Sequence, residues 1–246
     1  MTAVATARPA TARRPHSRVL GVVRLQYVNR QTFIWIPLIV LGGAWGITLL
    51  IYWLVNTVGG ETVMIAGGTQ APLWYYLVVG IYAMTLTFPF SQAMSVTRRE
   101  FYLGTLIAAA ISAAAMATVF ILIGLLEQAN DGYGLNGYFA YIPWLWEAGI
   151  AAAWLTFFTT TMLFFVVGFW FATVNRRLGP LGLTVVILGI VVVLLGFVAL
   201  VTLQEAWPQV WQWILDTGAL GLTLWGLLLT AVLAGGSYLT LRRLPA

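Results

Sequence analysis

The sequence predicts an all-α polytopic membrane protein: six transmembrane helices, an N-terminal cytoplasmic interfacial helix, and both termini cytoplasmic. Three observations carry that class. Of 246 residues, 61% are hydrophobic and 8% charged, where a soluble domain carries about 25% charged. The apolar residues fall in six uncharged windows, about 33–58, 74–94, 103–126, 148–174, 178–203 and 217–241. Each is longer than the roughly 20 residues that cross a hydrocarbon core of about 30 Å. Finally, charge alternates from gap to gap. All twelve basic residues are arginine, standing before the first window, at Arg98 and Arg99, at Arg176 and Arg177, and at Arg242 and Arg243. The acids Glu61, Glu127, Asp131, Glu147, Glu205 and Asp216 occupy the alternate gaps, and Glu100 alone sits with the arginines. Six crossings put every arginine on one side, which the positive-inside rule makes the cytoplasm.

Residues 1–31 form a cytoplasmic lead and 32–246 the transmembrane domain. The start of the lead, rich in Ala, Thr and Pro, is expected to be disordered. No short apolar stretch with a cleavage site follows Arg13-Arg14, so the lead is not read as an export signal. From Ser17 to Asn29, Val19, Val23 and Tyr27 recur at helical spacing with Leu20 beside them, while Arg18, Gln26 and Asn29 fall elsewhere on the wheel. The segment, which also carries Arg24, reads as an amphipathic helix on the membrane surface.

Pro37 and Pro89 each remove one backbone hydrogen bond and are expected to bend the first and second spans near their cytoplasmic ends. Pro180 sits where proline is favoured, in the first turn of the fifth. Tyr52, Trp53, Trp74, Tyr75, Tyr76, Trp144 and Trp146 cluster at outer span ends and read as interfacial anchors. The loop from Glu127 to Tyr141 is turn-rich and too short for a domain. Trp207, Val210, Trp211 and Ile214 follow helical spacing. Two readings stay open for them, a short helix dipping into the outer leaflet and a Trp-rich interfacial turn.

Small residues mark packing seams: Gly42 and Gly46 in the first span, Ala108–Ala110 and Ala113–Ala115 in the third, and Gly182, Gly189 and Gly196 every seven residues in the fifth. No charge lies deep in any span, which argues against an ion-coupled pump. The hydroxyls of Thr85, Thr87, Thr156, Thr159, Thr160 and Thr161 could meet a substrate or bond the carbonyl one turn back.

Composition excludes several chemistries. Without cysteine there is no disulfide or thiolate site, and His16 is the lone histidine, so metal and triad sites lose their ligands. Without lysine there is no Gly-x-x-x-x-Gly-Lys-[Ser/Thr] phosphate loop and no Schiff base. Arginines confined to gaps between spans set topology and do not indicate nucleic acid.

Between the second and third windows runs Ser95-Val96-Thr97-Arg98-Arg99-Glu100-Phe101-Tyr102-Leu103-Gly104. It resembles the Gly/Ser-x-[Ser/Thr]-Arg-Arg-x-[Phe]-x-x-Gly run frequent at that place in the membrane subunits of ABC-2 type exporters, and Arg24-Leu25-Gln26-Tyr27-Val28-Asn29-Arg30 is similar to their lead into span one. The resemblance covers most of the chain in layout and about twenty residues in motif. It implies a permease, not itself an enzyme, that pairs with itself or a sister subunit in a bacterial cell membrane and binds two copies of an ABC ATPase. Many relatives fuse that ATPase to the permease. This chain departs from them, so ATP and Mg²⁺ would be bound by the separate partner and no cofactor by this chain. The turn of Val96, Thr97, Arg98, Arg99, Glu100, Phe101 and Tyr102 would couple to the ATPase, with Val96, Phe101 and Tyr102 as apolar knobs. Spans two and five would line the path and face the second permease, placing Thr85, Phe88, Gly182, Gly189 and Gly196 there. The substrate expected is amphiphilic: a drug, antibiotic, lipid or peptide. The alternative is a passive or accessory membrane protein, such as a channel, a substrate-capturing component or an assembly factor.

Overall fold

A computed structural model of the chain describes residues 15–59, 63–65 and 68–242. Glu61, Arg243 and the lead with Arg8, Arg13 and Arg14 lie outside them. The described residues are helical almost throughout. Helix α1 spans Pro15–Val28, α2 Gln31–Gly59, α3 Ala71–Ala93, α4 Arg98–Ala129, α5 Pro143–Trp146, α6 Ile150–Leu203 and α7 Trp207–Arg242. Two-residue strands, Met64–Ile65 (β1) and Gly137–Tyr138 (β2), pair in parallel across the loops that follow α2 and α4. Among the described residues five helices, α2, α3, α4, α6 and α7, are long and apolar enough to cross a membrane.

Helix α6 covers two expected windows at once. Its 54 residues would reach about 80 Å if straight, more than twice a hydrocarbon core. It is not straight: Gly179 stands at φ 72°, ψ 178°, a conformation open essentially to glycine alone, and Pro180 restarts the helix as its first residue. Two arms, 150–178 and 180–203, therefore meet at Gly179. Helix α7 is divided likewise at Gly218, φ 64° and ψ 174°, so Trp207, Val210, Trp211 and Ile214 form a helix of their own before the last long arm. The interfacial-turn reading of that stretch is thereby set aside.

Both prolines expected to bend helices stand behind the same local device. A π-turn, Gln31–Trp35, precedes Pro37, and another, Ala83–Thr87, precedes Pro89; the wider turn takes up the clash between the ring and the carbonyl four residues back.

The core has two clusters. One joins Val22, Phe33, Met84, Phe88, Phe101, Tyr102, Phe165, Phe169 and Leu241. The other joins Leu41, Tyr76, Phe120, Phe139, Trp146 and Phe157, with Phe120 stacked on Phe157 at 4.5 Å between centroids. The second arm of α6 lies outside both. Most of its apolar residues are exposed, Leu181 at 82% and Val193 at 71%, because little of this chain packs on it.

Candidate functional site

The stretch 95–104 is built by hydrogen bonding. Helix α3 ends with Ser95 in the left-handed region, φ 57°, while Val96 N–H donates to Ser91 O and Ser95 N–H to Gln92 O, at 3.1 and 3.0 Å, the C-terminal motif that satisfies a helix's last carbonyls. Two residues later α4 opens with a capping box: Glu100 N–H donates to Thr97 Oγ1 and Thr97 N–H to Glu100 Oε2, at 3.2 and 3.0 Å. Glu100 is thus engaged in starting a helix. Arg98 Nη1 donates to the Leu241 and Arg242 carbonyls at 3.5 and 3.3 Å, placing a cation on the negative end of α7.

The apolar residues of the stretch face inward, which corrects the expectation that they are knobs for a partner. Phe101 is fully buried, edge-on to Phe88 at 5.1 Å. Tyr102 is buried, and its hydroxyl donates to the Ala234 carbonyl. Val96 packs against the same core. Gly104 lies under α1, where a Cβ would come within 3.0 Å of the Val19 carbonyl. Met94, Ser95, Thr97 and Arg99 are exposed, and Val96, Arg98 and Glu100 are half-buried.

Helix α1 meets α4 along a face turned from the expected one. Val22, Val23 and Gln26 are buried and Leu20 is exposed, so Gln26 belongs to the seam and Leu20 does not. Gln26 Nε2 donates to Thr105 Oγ1 at 2.9 Å, and the Tyr27 hydroxyl shares a 2.8 Å bond with Ser112 Oγ. Arg18 approaches Glu100 at 4.0 Å, while Arg24 is exposed. The helix is therefore held by polar bonds inside the bundle as well as by an apolar stripe. Between α1 and the turn lies a groove of about 1020 Å³, lined by Leu20, Leu25, Val28, Met94 and Val96 with Arg18 and Arg24.

The residues expected along a path are not brought together. Phe88 is buried in the core, so it lines no path within this chain. The Thr85 hydroxyl donates to Ile81 O one turn back. Around Gly189 and Gly196 no atom would meet an added Cβ, and at Gly182 the one obstacle is Leu178 of the same helix.

Sequence reasoning missed the buried Glu127. This acid at the end of α4 accepts N–H bonds from Phe139, Ala140 and Tyr141 at 3.0, 2.9 and 2.8 Å. Thr69 Oγ1 donates to Phe139 O at 2.6 Å and Trp146 Nε1 to Ala140 O at 3.2 Å, so the loop is a knitted cap. Burial pushes the Tyr133 hydroxyl in this cap above its ordinary range, with the nearby Glu127 charge adding and Trp45 opposing. Tyr52, Tyr76 and Trp146 are buried and serve packing; Trp53, Trp74 and Trp144 are exposed, as anchors would be. Glu147 is exposed beside them.

The chain matches no protein-family model, no curated protein and no solved structure. Among the described residues no group of three or more His, Asp or Glu could hold a metal ion. The features fit for recognition are the amphipathic groove beside the 94–99 turn and the exposed arm of α6.

Proposed function

We propose that this chain is the membrane subunit of an ATP-driven exporter of the ABC-2 type, moved by a separate ATPase that grips the end where its arginines gather. The groove between α1 and the turn after α3 carries the reading. Two segments far apart in sequence, each resembling that family, border one cleft with an apolar floor and a basic rim. A partner would seat an apolar side chain against Leu20, Val28 and Met94 and set acids against Arg18 and Arg24. The turn receives a knob instead of presenting one.

A push on the turn acts on α3 and α4 together, since four residues separate them and α4 is capped at its first turn. α4 is a continuous rod of 32 residues, and α3 carries a π-turn that can hinge. Counting α6 as two spans that meet at Gly179 gives six crossings. Both termini and every arginine then share one side, the cytoplasmic side of a bacterial cell membrane. The exposed arm with Gly182, Gly189 and Gly196 is where a second permease would pack, backbone close to backbone, and an amphiphilic substrate would pass between the two.

Copurification tests the reading. The chain expressed with its genomic neighbours should carry a P-loop ATPase through purification, and Met94→Asp with Arg24→Glu should release it while the chain stays folded. An ATPase that never associates, or transport that survives both substitutions, sinks it.

A further inference from the structure

Between the first turns of α4 and the last turns of α7 lies a slot of about 400 Å³, open at the surface of the bundle. Arg98 reaches the Leu241 and Arg242 carbonyls, and the Tyr102 hydroxyl donates to Ala234 O, so the two helices run in opposite directions with their arginines at one end. Arg99, Leu103 and Leu106 line the slot from α4, spaced over about 10 Å of helix axis. Ala234, Gly235 and Tyr238 line it from α7. Buried Tyr102 closes one wall, its ring 5.2 Å from that of Tyr238. The space owes its existence to position 235, where a Cβ would meet no atom within 4 Å.

The slot is charged at one end and apolar along the rest. Arg99 is exposed and makes no hydrogen bond or ion pair among the described residues, and no acid lines the slot. The neighbouring acid, Glu100, is turned to Thr97 and Arg18, while Arg98 and the exposed Arg242 stand at the same end. An arginine near the end of a span lays its stem on apolar surface and holds its guanidinium at headgroup level, where its planar fork matches a phosphate. Exposed Leu103, Ile107 and Leu239 continue the apolar surface around the mouth, so the slot opens toward acyl chains. A soluble anion would leave its apolar length unfilled. A zwitterionic head would bring a second cation to the arginines; a head of net negative charge would not, and basic pockets between spans suit such heads. About 150 Å³ holds a benzene-sized group, so this space takes part of one acyl chain and not a whole lipid.

We infer that this slot binds one anionic phospholipid of the adjoining leaflet, its phosphate on Arg99 and an acyl chain over Gly235. The inference needs α4 and α7 in a bilayer and does not depend on an ATPase.

The full chain is placed in phosphatidylcholine nanodiscs containing a trace of phosphatidylglycerol or, separately, of phosphatidylcholine, each with a diazirine at the same acyl carbon. After irradiation, labelled peptides are located by mass spectrometry. Phosphatidylglycerol should label residues 99–106 or 234–238 about fivefold above phosphatidylcholine, the factor that about 1 kcal/mol per arginine at an anionic surface gives. Arg99→Gln should bring the two lipids level there, and Gly235→Leu, which fills the slot, should lower the labelling by phosphatidylglycerol. Arg177→Gln, which removes an exposed arginine outside the slot, should leave the preference unchanged. Equal labelling of the wild-type chain by the two lipids overturns the inference, whatever the variants do. So does a preference that a folded Arg99→Gln chain keeps or that Arg177→Gln lowers as much, and so does undiminished labelling of a folded Gly235→Leu chain.

Discussion

Pro89 carries no N–H, and the carbonyl it would have paired with, Thr85 O, accepts instead from Arg176 Nη2 at 3.3 Å. The same guanidinium lies over the Phe88 ring at 5.6 Å, so one side chain covers the Pro89 break in α3's hydrogen bonding twice. Arginine at 176 was legible as a topology signal and Pro89 as a bend. Their connection was not, because 87 residues separate them and nothing local to either names the other. Arg176→Ala should cost about 1 kcal/mol of stability, and much less in a Pro89→Ala background, where an N–H returns to Thr85 O. A double-mutant cycle on thermal unfolding in detergent measures the difference, and purely additive effects would refute the link. Glu127 makes a parallel case. Its two carboxylate oxygens take three N–H bonds, whereas glutamine offers one acceptor oxygen and turns an NH₂ toward donors. Glu127→Gln should destabilise by about 1–3 kcal/mol and speed hydrogen exchange at Phe139, Ala140 and Tyr141.

Among the elements, glycine decides where helices touch. An added Cβ at Gly168 would fall on the Leu77 carbonyl, and one at Gly80 on the Phe165 carbonyl, so α3 and α6 cross with backbone against backbone at both. Gly168→Val should part the helices and cost about 1–3 kcal/mol or more, seen as a lower unfolding midpoint. Gly189→Val, where no atom stands nearby, should leave monomer stability within about 0.5 kcal/mol. Patterned glycines were the conspicuous ones in the sequence, yet Gly42, Gly46, Gly189 and Gly196 have no neighbour that a Cβ would meet, while unpatterned Gly80, Gly104, Gly124 and Gly168 carry the crossings. A small residue says that a backbone can approach; which one does is settled by how the helices are arranged. Of the alanines singled out in α4, Ala108, Ala109 and Ala113 are buried, Ala110 and Ala114 half-buried, and Ala115 exposed.

At the scale of the molecule, the exposed arm of α6 and the six-crossing count can be tested on one background, because the chain has no cysteine. Single cysteines at Ser95 and Asn136 should react with a membrane-impermeant maleimide from opposite faces of sealed vesicles; labelling from one face for both would remove the proposed topology. A cysteine at Val192 or Val193 should give a crosslinked dimer on oxidation, whereas one at Leu122, on α4, should not. The sequence by itself determined the class, the apolar windows and the alternation of charge, because lipid demands long uninterrupted helices and charge must stay in water. It also marked 95–104 as special, through a run of residues that turn out to cap, bridge and pack. Tertiary structure alone decided that Phe101 and Tyr102 point into the core, that Gln26 is buried and that Glu127 holds a loop. The reason is physical: a helix's periodicity shows that it has faces, but which face is covered, and by what, depends on neighbours that arrive from distant parts of the chain.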